Sequence, residues 1–376
     1  MKDTDADFII NKIGFIGFGL IGGSIARAIK KSRPHTLLYA YDHHANPPSA
    51  DFKEALSDGV LDYVTGNLTE GFPDCDIIFL CAPVLANVSY LENLKHIVKP
   101  SCIITDVGSV KDNIHQAVTK LEMEDVFIGG HPMTGSEKTG YVNSYALLLE
   151  NAYYILTPTS NTSADKLKIL LNLIEEMGSI PIILDPKEHD EITAAISHLP
   201  HIIAATLVNL IRESGDISKM MKQLAAGGFK DITRIASSSP TVWENISIAN
   251  SFFIKDLINQ YISLLQDIVF ALEDKDSQYI YNTFLTAKEF RNALPEKGKG
   301  ILEKIYEIYL DIDDEAGAIA TVATLLADNK ISIKNIGIIH NREFQDGVLR
   351  IEFYEDSAMN AAITLLKEYK YIVYER

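Results

Sequence analysis

The chain has 376 residues, enough for two to three domains at about 150 residues each. Its 34 basic against 51 acidic side chains give a formal net charge of −17, and 47 % of its residues are apolar. That balance excludes a disordered chain and argues against nucleic acid or an anionic membrane as partner, because both attract basic surfaces.

No uninterrupted apolar run approaches the roughly 20 residues of a membrane helix, and the acidic start at residues 1–7 lacks the apolar core of a signal peptide. Cys75, Cys81 and Cys102 form no CxxC pair and lie in or beside apolar runs, as core thiols of a reducing compartment do. A cytoplasmic enzyme or small-molecule sensor is expected.

In chain order, short apolar runs at 12–16, 37–41, 77–81, 102–106 and 127–129 predict strands. Amphipathic stretches such as 21–31 and 91–98 predict helices between them, and this alternation predicts a parallel sheet covered by helices. A further strand, helix and strand follow at 153–157, 165–177 and 180–184. After Asp185-Pro186 the pattern turns almost wholly helical, from 187 to 292. Its long apolar helices, at 192–211 and 251–272, exceed what one protomer easily buries, so pairing with a second copy is expected. Residues 295–300, PEKGKG, compose a linker. Beyond it the runs at 305–312, 318–328, 331–339, 348–354, 359–366 and 371–374 give β-α-β-β-α-β, the ferredoxin-like order. The expected domains are therefore a Rossmann-type α/β domain at 1–186, an all-α domain at 187–294 and a ferredoxin-like domain at 301–376.

Gly17-Phe18-Gly19-Leu20-Ile21-Gly22 follows the first strand and opens the first helix. Gly17 permits a tight turn, Gly19 lets backbone approach a pyrophosphate, and Gly22 allows close helix–strand packing. The helix start offers amides and partial positive charge to an anion. Asp42 ends the second strand, twenty residues after Gly22, where a carboxylate meets a ribose 2′-hydroxyl. It favours NAD over NADP, although His43-His44 would partly offset its repulsion of a 2′-phosphate.

His131 follows the strand ending at Gly129-Gly130, where a histidine can serve as acid or base. Asp106-Val107-Gly108-Ser109-Val110-Lys111 ends the preceding strand and is expected to bring a hydroxyl, Ser109, and a cation, Lys111, to the same rim. Ser197-His198-Leu199-Pro200-His201 puts two histidines on one helical face, with Pro200 starting or kinking a helix. No cysteine cluster or HExxH partner accompanies them, so no metal is expected, and they are pocket groups or satisfied core histidines. Arg234, after Gly227-Gly228, either holds a carboxylate or pairs with a neighbour such as Asp231.

Taken together, GFGLIGGS, DVGSVK, HPMTGSE, SHLPH and GGFKDITRIA, in this order and spacing, resemble the prephenate/arogenate dehydrogenase family of tyrosine biosynthesis, from about residue 12 to 292. The segment from about 305 to 376 looks like an ACT domain, and no chorismate mutase segment accompanies it, so the resemblance is to the monofunctional form. The resemblance implies NAD-dependent oxidative decarboxylation of prephenate to 4-hydroxyphenylpyruvate. By the same carry-over His131 is the base, Ser109 orients the substrate hydroxyl, and Arg234 binds a carboxylate. Ser197, His198 and His201 line the pocket, with Glu137 at its mouth, and Gly17, Gly19, Leu20, Ile21, Gly22 and Asp42 hold the nucleotide. Tyrosine is expected as a feedback effector at an ACT–ACT contact near Asp314 to Gly317, where Ala316 stands in place of the common proline. Arogenate dehydrogenase is the alternative activity. More distant are a 3-hydroxyacid or imine reductase and a non-catalytic NAD and amino-acid sensor.

Overall fold

The computed structural model describes residues 10–43, 48–135, 138–214, 217–294, 306–311, 317–339 and 348–375. It divides into two compact units, Met1–Leu294 and Pro295–Arg376.

The first unit starts with a parallel sheet of β1 (Lys12–Ile16), β2 (Leu37–Tyr41), β3 (Tyr63–Thr65), β4 (Ile77–Leu80) and β5 (Ile103–Asp106), in the order β3-β2-β1-β4-β5. Helices α1 (Leu20–Ser32), α2 (Ala50–Ser57), α3 (Val84–Leu94) and α4 (Asp112–Lys120) make the crossovers. Alternate strand residues feed two separate cores, because side chains of a strand point to opposite faces. Phe15 and Phe79 stack at 5.4 Å on one face, while Ile16, Ile78 and Leu80 pack on the other. Both faces being covered explains why these strands read as continuous apolar runs, each large buried side chain contributing about 1.5–3 kcal/mol. β1 pairs with β2 on one side and β4 on the other, so the strand order reverses beside it and a crevice opens at the strand C-termini.

Two expectations shift here. The three-residue β3 is too short to leave a pattern. The helix expected at 91–98 is α3, which starts at Val84 directly after Pro83 and has ended by Lys95. Pro83, which cannot donate a helical hydrogen bond, supplies the N-terminal boundary.

A second sheet holds β6 (Ile128–Pro132), β7 (Tyr153–Pro158) and β8 (Ile180–Ile183), joined to β5 by the parallel bridge Ile104–Phe127. β7 and β8 are parallel around α5 (Ala164–Glu176), but β6 and β7 run antiparallel, with His131 opposite Ile155. The parallel expectation fails at that one pair. Among the described residues the connection contains only the short 3₁₀ turns Tyr141–Asn143 and Ala146–Leu149, and no crossover helix to return the chain.

Helices follow: α6 (Pro186–Thr193), α7 (Leu199–Arg212), α8 (Ile217–Leu224), α9 (Gly227–Thr233), α10 (Pro240–Ala249), α11 (Ser251–Glu273) and α12 (Ser277–Ala293). Asp185 caps α6 by accepting the Lys187 and Glu188 amides, and Pro186 takes the position where a missing N–H costs nothing. A π turn at Ala194–His198 joins α6 to α7, with Pro200 in the first turn of α7. The wider turn absorbs the proline, so Pro186–Arg212 runs as one helix of 27 residues with a window of mean hydropathy 1.5. By length and composition this helix is long and apolar enough to cross a membrane, contrary to the expectation from the sequence, where Ser197, His198, Pro200 and His201 interrupt the apolar run. His189, Asp190, His198 and His201 of this helix belong to the site described below. Phe252 is 79 % exposed on α11, and Phe284 and Phe290 on α12 are also exposed, an apolar surface of the kind that another surface covers.

The second unit is a four-stranded antiparallel sheet of β9 (Tyr306–Asp311), β10 (Ile333–Ile339), β11 (Val348–Phe353) and β12 (Val373–Glu375), in the order β10-β11-β9-β12. α13 (Ala318–Asp328) follows β9 and α14 (Asp356–Glu368) follows β11. Ile308, Leu310, Val322, Leu326, Leu349, Ile351 and Leu366 form its core.

Candidate functional site

The glycine turn joins β1 to α1 at the crevice. Gly17 has φ +86°, and a Cβ there would lie 2.6 Å from the Ala82 amide nitrogen. A Cβ on Gly22 would press on Gly17 O and Cys81 at 3.0–3.2 Å, so the helix rides directly on the strand end. A Cβ on Gly19 would meet nothing within 4 Å, so the backbone there faces open space beside the first-turn amides of α1. Leu20 is buried and Ile21 packs on the sheet core. Asp42, at the end of β2, is 3 % exposed and accepts the Ser49 amide at 2.9 Å, with His43 Nδ1 4.0 Å away. His44 lies outside the described residues.

His131 stands half-buried in β6 and contacts a second histidine, Nδ1 to His189 Nε2, at 2.8 Å. His189 Nδ1 in turn lies 2.8 Å from Asp190 Oδ1. Asp190 also accepts the Lys111 amide at 2.7 Å and the Asp112 amide at 2.8 Å, which ties α6 to the start of α4. Burial holds the pKa of His131 well below the ordinary histidine value, with His189, Lys111 and His198 adding to it.

Lys111 is not at the rim. It is fully buried, ion-paired to Asp106, and donates to Gly130 O at 2.7 Å. Asp106 accepts the Gly108 amide at 2.9 Å and the Gly130 amide at 3.1 Å. The cation expected to face a ligand is instead a clamp between β5 and β6. The half-buried Ser109 follows the end of β5, and the half-buried His131 lies in the neighbouring β6.

His198 is buried, and its Nδ1 accepts from Asn250 Nδ2 at 3.0 Å. Burial pushes its pKa down to about 4, so the ring is neutral near pH 7. With Nδ1 accepting, Nε2 carries the proton, and among the described residues it has no partner. His201 donates from Nδ1 to Ser197 O at 2.9 Å and stacks on Trp243 at 3.7 Å. Trp243 packs with Val84, Val110 and Ile246, so α10 links His201 to the segment beside Ser109. Ser197 is half-buried on the π turn.

Arg234 is exposed on the 3₁₀ turn after α9, a turn that packs against α7. Glu137 and Asp314 lie outside the described residues. Gly317 is exposed with φ +100° and starts α13.

His189, Asp190, Trp243 and Asn250 are site residues that the sequence pattern does not single out. In the run Lys187-Glu188-His189-Asp190-Glu191 the pair resembles a solvated helix face. The available signal was spacing: His189 and Asp190 directly precede a segment with two further histidines.

The sequence matches the prephenate dehydrogenase family in two segments, 25–183 to its nucleotide-binding domain and 185–286 to its dimerization domain. The prephenate dehydrogenase of Bacillus subtilis (strain 168) is 38 % identical over 358 residues, covering 95 % of this chain and 93 % of the relative. Among solved structures, prephenate dehydrogenase from A. aeolicus in complex with hydroxyphenyl propionate and NAD+ aligns with TM-score 0.71 and 26 % identity, over 77 % of this chain and all of that one. Synechocystis arogenate dehydrogenase aligns with TM-score 0.65 and 29 % identity, over 75 % of this chain and 99 % of that one. The chain belongs to the prephenate dehydrogenase family.

Proposed function

We propose that the protein is an NAD-dependent prephenate dehydrogenase, converting prephenate to 4-hydroxyphenylpyruvate with loss of CO₂. The observation that carries this reading is His131 in β6, held neutral by burial with its Nδ1 2.8 Å from His189 Nε2. The full-length likeness to the B. subtilis enzyme supports the substrate.

The residues present fit NAD. The α1 amides and the open face of Gly19 suit its pyrophosphate, Leu20 and Ile21 stand in the same first turn, and Asp42 suits its ribose hydroxyls in preference to a 2′-phosphate. When bound, NAD supplies the acceptor for the hydride leaving C4 of the substrate ring. His131 takes the proton of the C4 hydroxyl, and Ser109 holds that hydroxyl in line. The electrons of the broken C–CO₂ bond complete the aromatic ring, which drives the reaction forward. Arg234 holds a substrate carboxylate, and Ser197, His198 and His201 line the pocket. The Nε2–H of His198, without a partner among the described residues, is a donor suited to an acceptor oxygen of such a ligand.

Residues 1–186 form the nucleotide domain, 187–294 the substrate and dimerisation domain, and 301–376 the regulatory domain, in a cytoplasmic homodimer. The dimerization-domain match and the exposed apolar helix faces support the dimer. The strand order of the second unit, with helices after its first and third strands, supports a ferredoxin-like ACT domain. Tyrosine acts there as feedback inhibitor, near Asp314 to Gly317. Inhibition that survives deletion of the residues after Leu294 overturns that effector site.

NADH formation at 340 nm with prephenate, run beside arogenate and NADP, tests the activity. A rate with prephenate and NAD supports the reading. The Synechocystis likeness favours arogenate as second reading, and a rate with arogenate alone selects it. Binding of NAD without turnover of either compound rejects both.

A further inference from the structure

We propose that His189 and Asp190 are positioning residues that fix the proton of His131 on Nδ1 and leave Nε2 as its acceptor. The inference rests on the reading of His131 as base. Backbone amides, which can only donate, reach both Asp190 oxygens, from Lys111 to Oδ1 and from Asp112 to Oδ2. The carboxylate is thereby an acceptor, and His189 Nδ1, 2.8 Å from Oδ1, carries its proton.

His189 is fully buried, which disfavours its charged form, so its Nε2 is bare. The 2.8 Å contact then requires a proton on His131 Nδ1, since two bare nitrogens at that distance repel. His131 Nε2 is left with its lone pair. A free neutral imidazole prefers the opposite tautomer, so the relay selects the form that can accept a substrate proton.

The elements are arranged to hold the relay still. Thr193 Oγ1 donates to His189 O at 2.9 Å, and Asn250 Nδ2 donates to Asp190 O at 2.8 Å. The other titratable groups facing His131 are Lys111 and His198, and those facing His189 are Asp190, Lys111 and Asp106. When His131 accepts a proton at Nε2, its Nδ1–H bond to His189 strengthens, and no further proton needs to move.

The test uses the full-length enzyme and compares His189→Phe, His189→Gln and His131→Asn with the parent. Gln can present an oxygen where His189 presents Nε2, whereas Phe cannot. His189→Phe is expected to lower kcat about 10²-fold with KM within threefold, and His189→Gln to recover most of the loss. ¹⁵N spectra of the histidine rings are expected to show His131 as the Nδ1–H tautomer in the parent and in His189→Gln. They are expected to show it shifted to Nε2–H in His189→Phe, whose NAD binding matches the parent. Unchanged kcat and tautomer in His189→Phe, with His131→Asn inactive, overturn the relay and leave the base in place. Gln no better than Phe also overturns it. Full turnover by His131→Asn overturns the base and the relay together.

Discussion

The side-chain amide of Asn250, between α10 and α11, makes two bonds to the helix Pro186–Arg212: Nδ2 donates to His198 Nδ1 at 3.0 Å and to Asp190 O at 2.8 Å. Both of its protons are used, and all three residues are buried. Asn250→Asp replaces this donor with an acceptor facing the Asp190 carbonyl and draws the His198 proton to Nδ1. The expected outcome is a loss of about 1–3 kcal/mol in stability, measured by urea unfolding, and a rise of about tenfold in substrate KM. Unchanged KM takes His198 out of substrate binding.

Gly17 and Gly19 make a discriminating pair. Gly17→Ala puts a methyl group 2.6 Å from backbone at φ +86°, so the turn itself must move, and both stability and nucleotide binding are expected to fall. Gly19→Ala meets nothing within 4 Å among the described residues, and its φ of −97° lies outside the left-handed region. Its unfolding midpoint is expected to match the parent while NAD affinity drops by tenfold or more, read by nucleotide fluorescence titration. Parental affinity in Gly19→Ala moves the pyrophosphate away from this turn.

Lys111 and Asp106 form an ion pair sealed from water. Removing one partner strands the other charge, so Lys111→Met is expected to cost about 3–5 kcal/mol. The double variant Lys111→Met, Asp106→Asn is expected to recover part of that cost, because the lone carboxylate is gone. A urea double-mutant cycle reads the coupling, and additive costs would show that the pair is not coupled.

The parallel strands were legible because burial on both faces demands unbroken apolar runs, as at Ile77–Leu80. Gly17 and Asp42 were legible because their spacing is set by one strand–helix–strand unit. The antiparallel β6–β7 pair was not, since direction depends on how the loop at 133–152 travels rather than on the strand residues. Lys111 was misread for a related reason: nothing local reports that Asp106 and Gly130 O enclose it. His189 and Asp190 look like one more charged helix face until α6 meets the first turn of α4. Contacts between residues 52 to 79 positions apart define this site, and local periodicity carries no trace of them.

His115 and His198 give the protein a pH dependence distinct from that of its carboxylates. Burial pushes both histidines down to about 4, against about 6.5 when unfolded. Below pH 6.5 the unfolded chain binds protons that the folded chain refuses until about pH 4, so stability is full above 6.5 and falls as pH drops through that window. Each site contributes up to about 3 kcal/mol. Asp58 and Asp74, whose pKa values are lowered by Arg27 and Lys12 beside them, act in the range below their ordinary value and leave this window to the histidines. Urea unfolding between pH 7.5 and 4.5 is expected to show the loss. His115→Gln keeps a hydrogen bond to Thr157 Oγ1, 2.8 Å from the native ring, while removing one titrating group, and its stability is expected to decline less steeply. A slope equal to the parent's assigns the acid sensitivity to other groups.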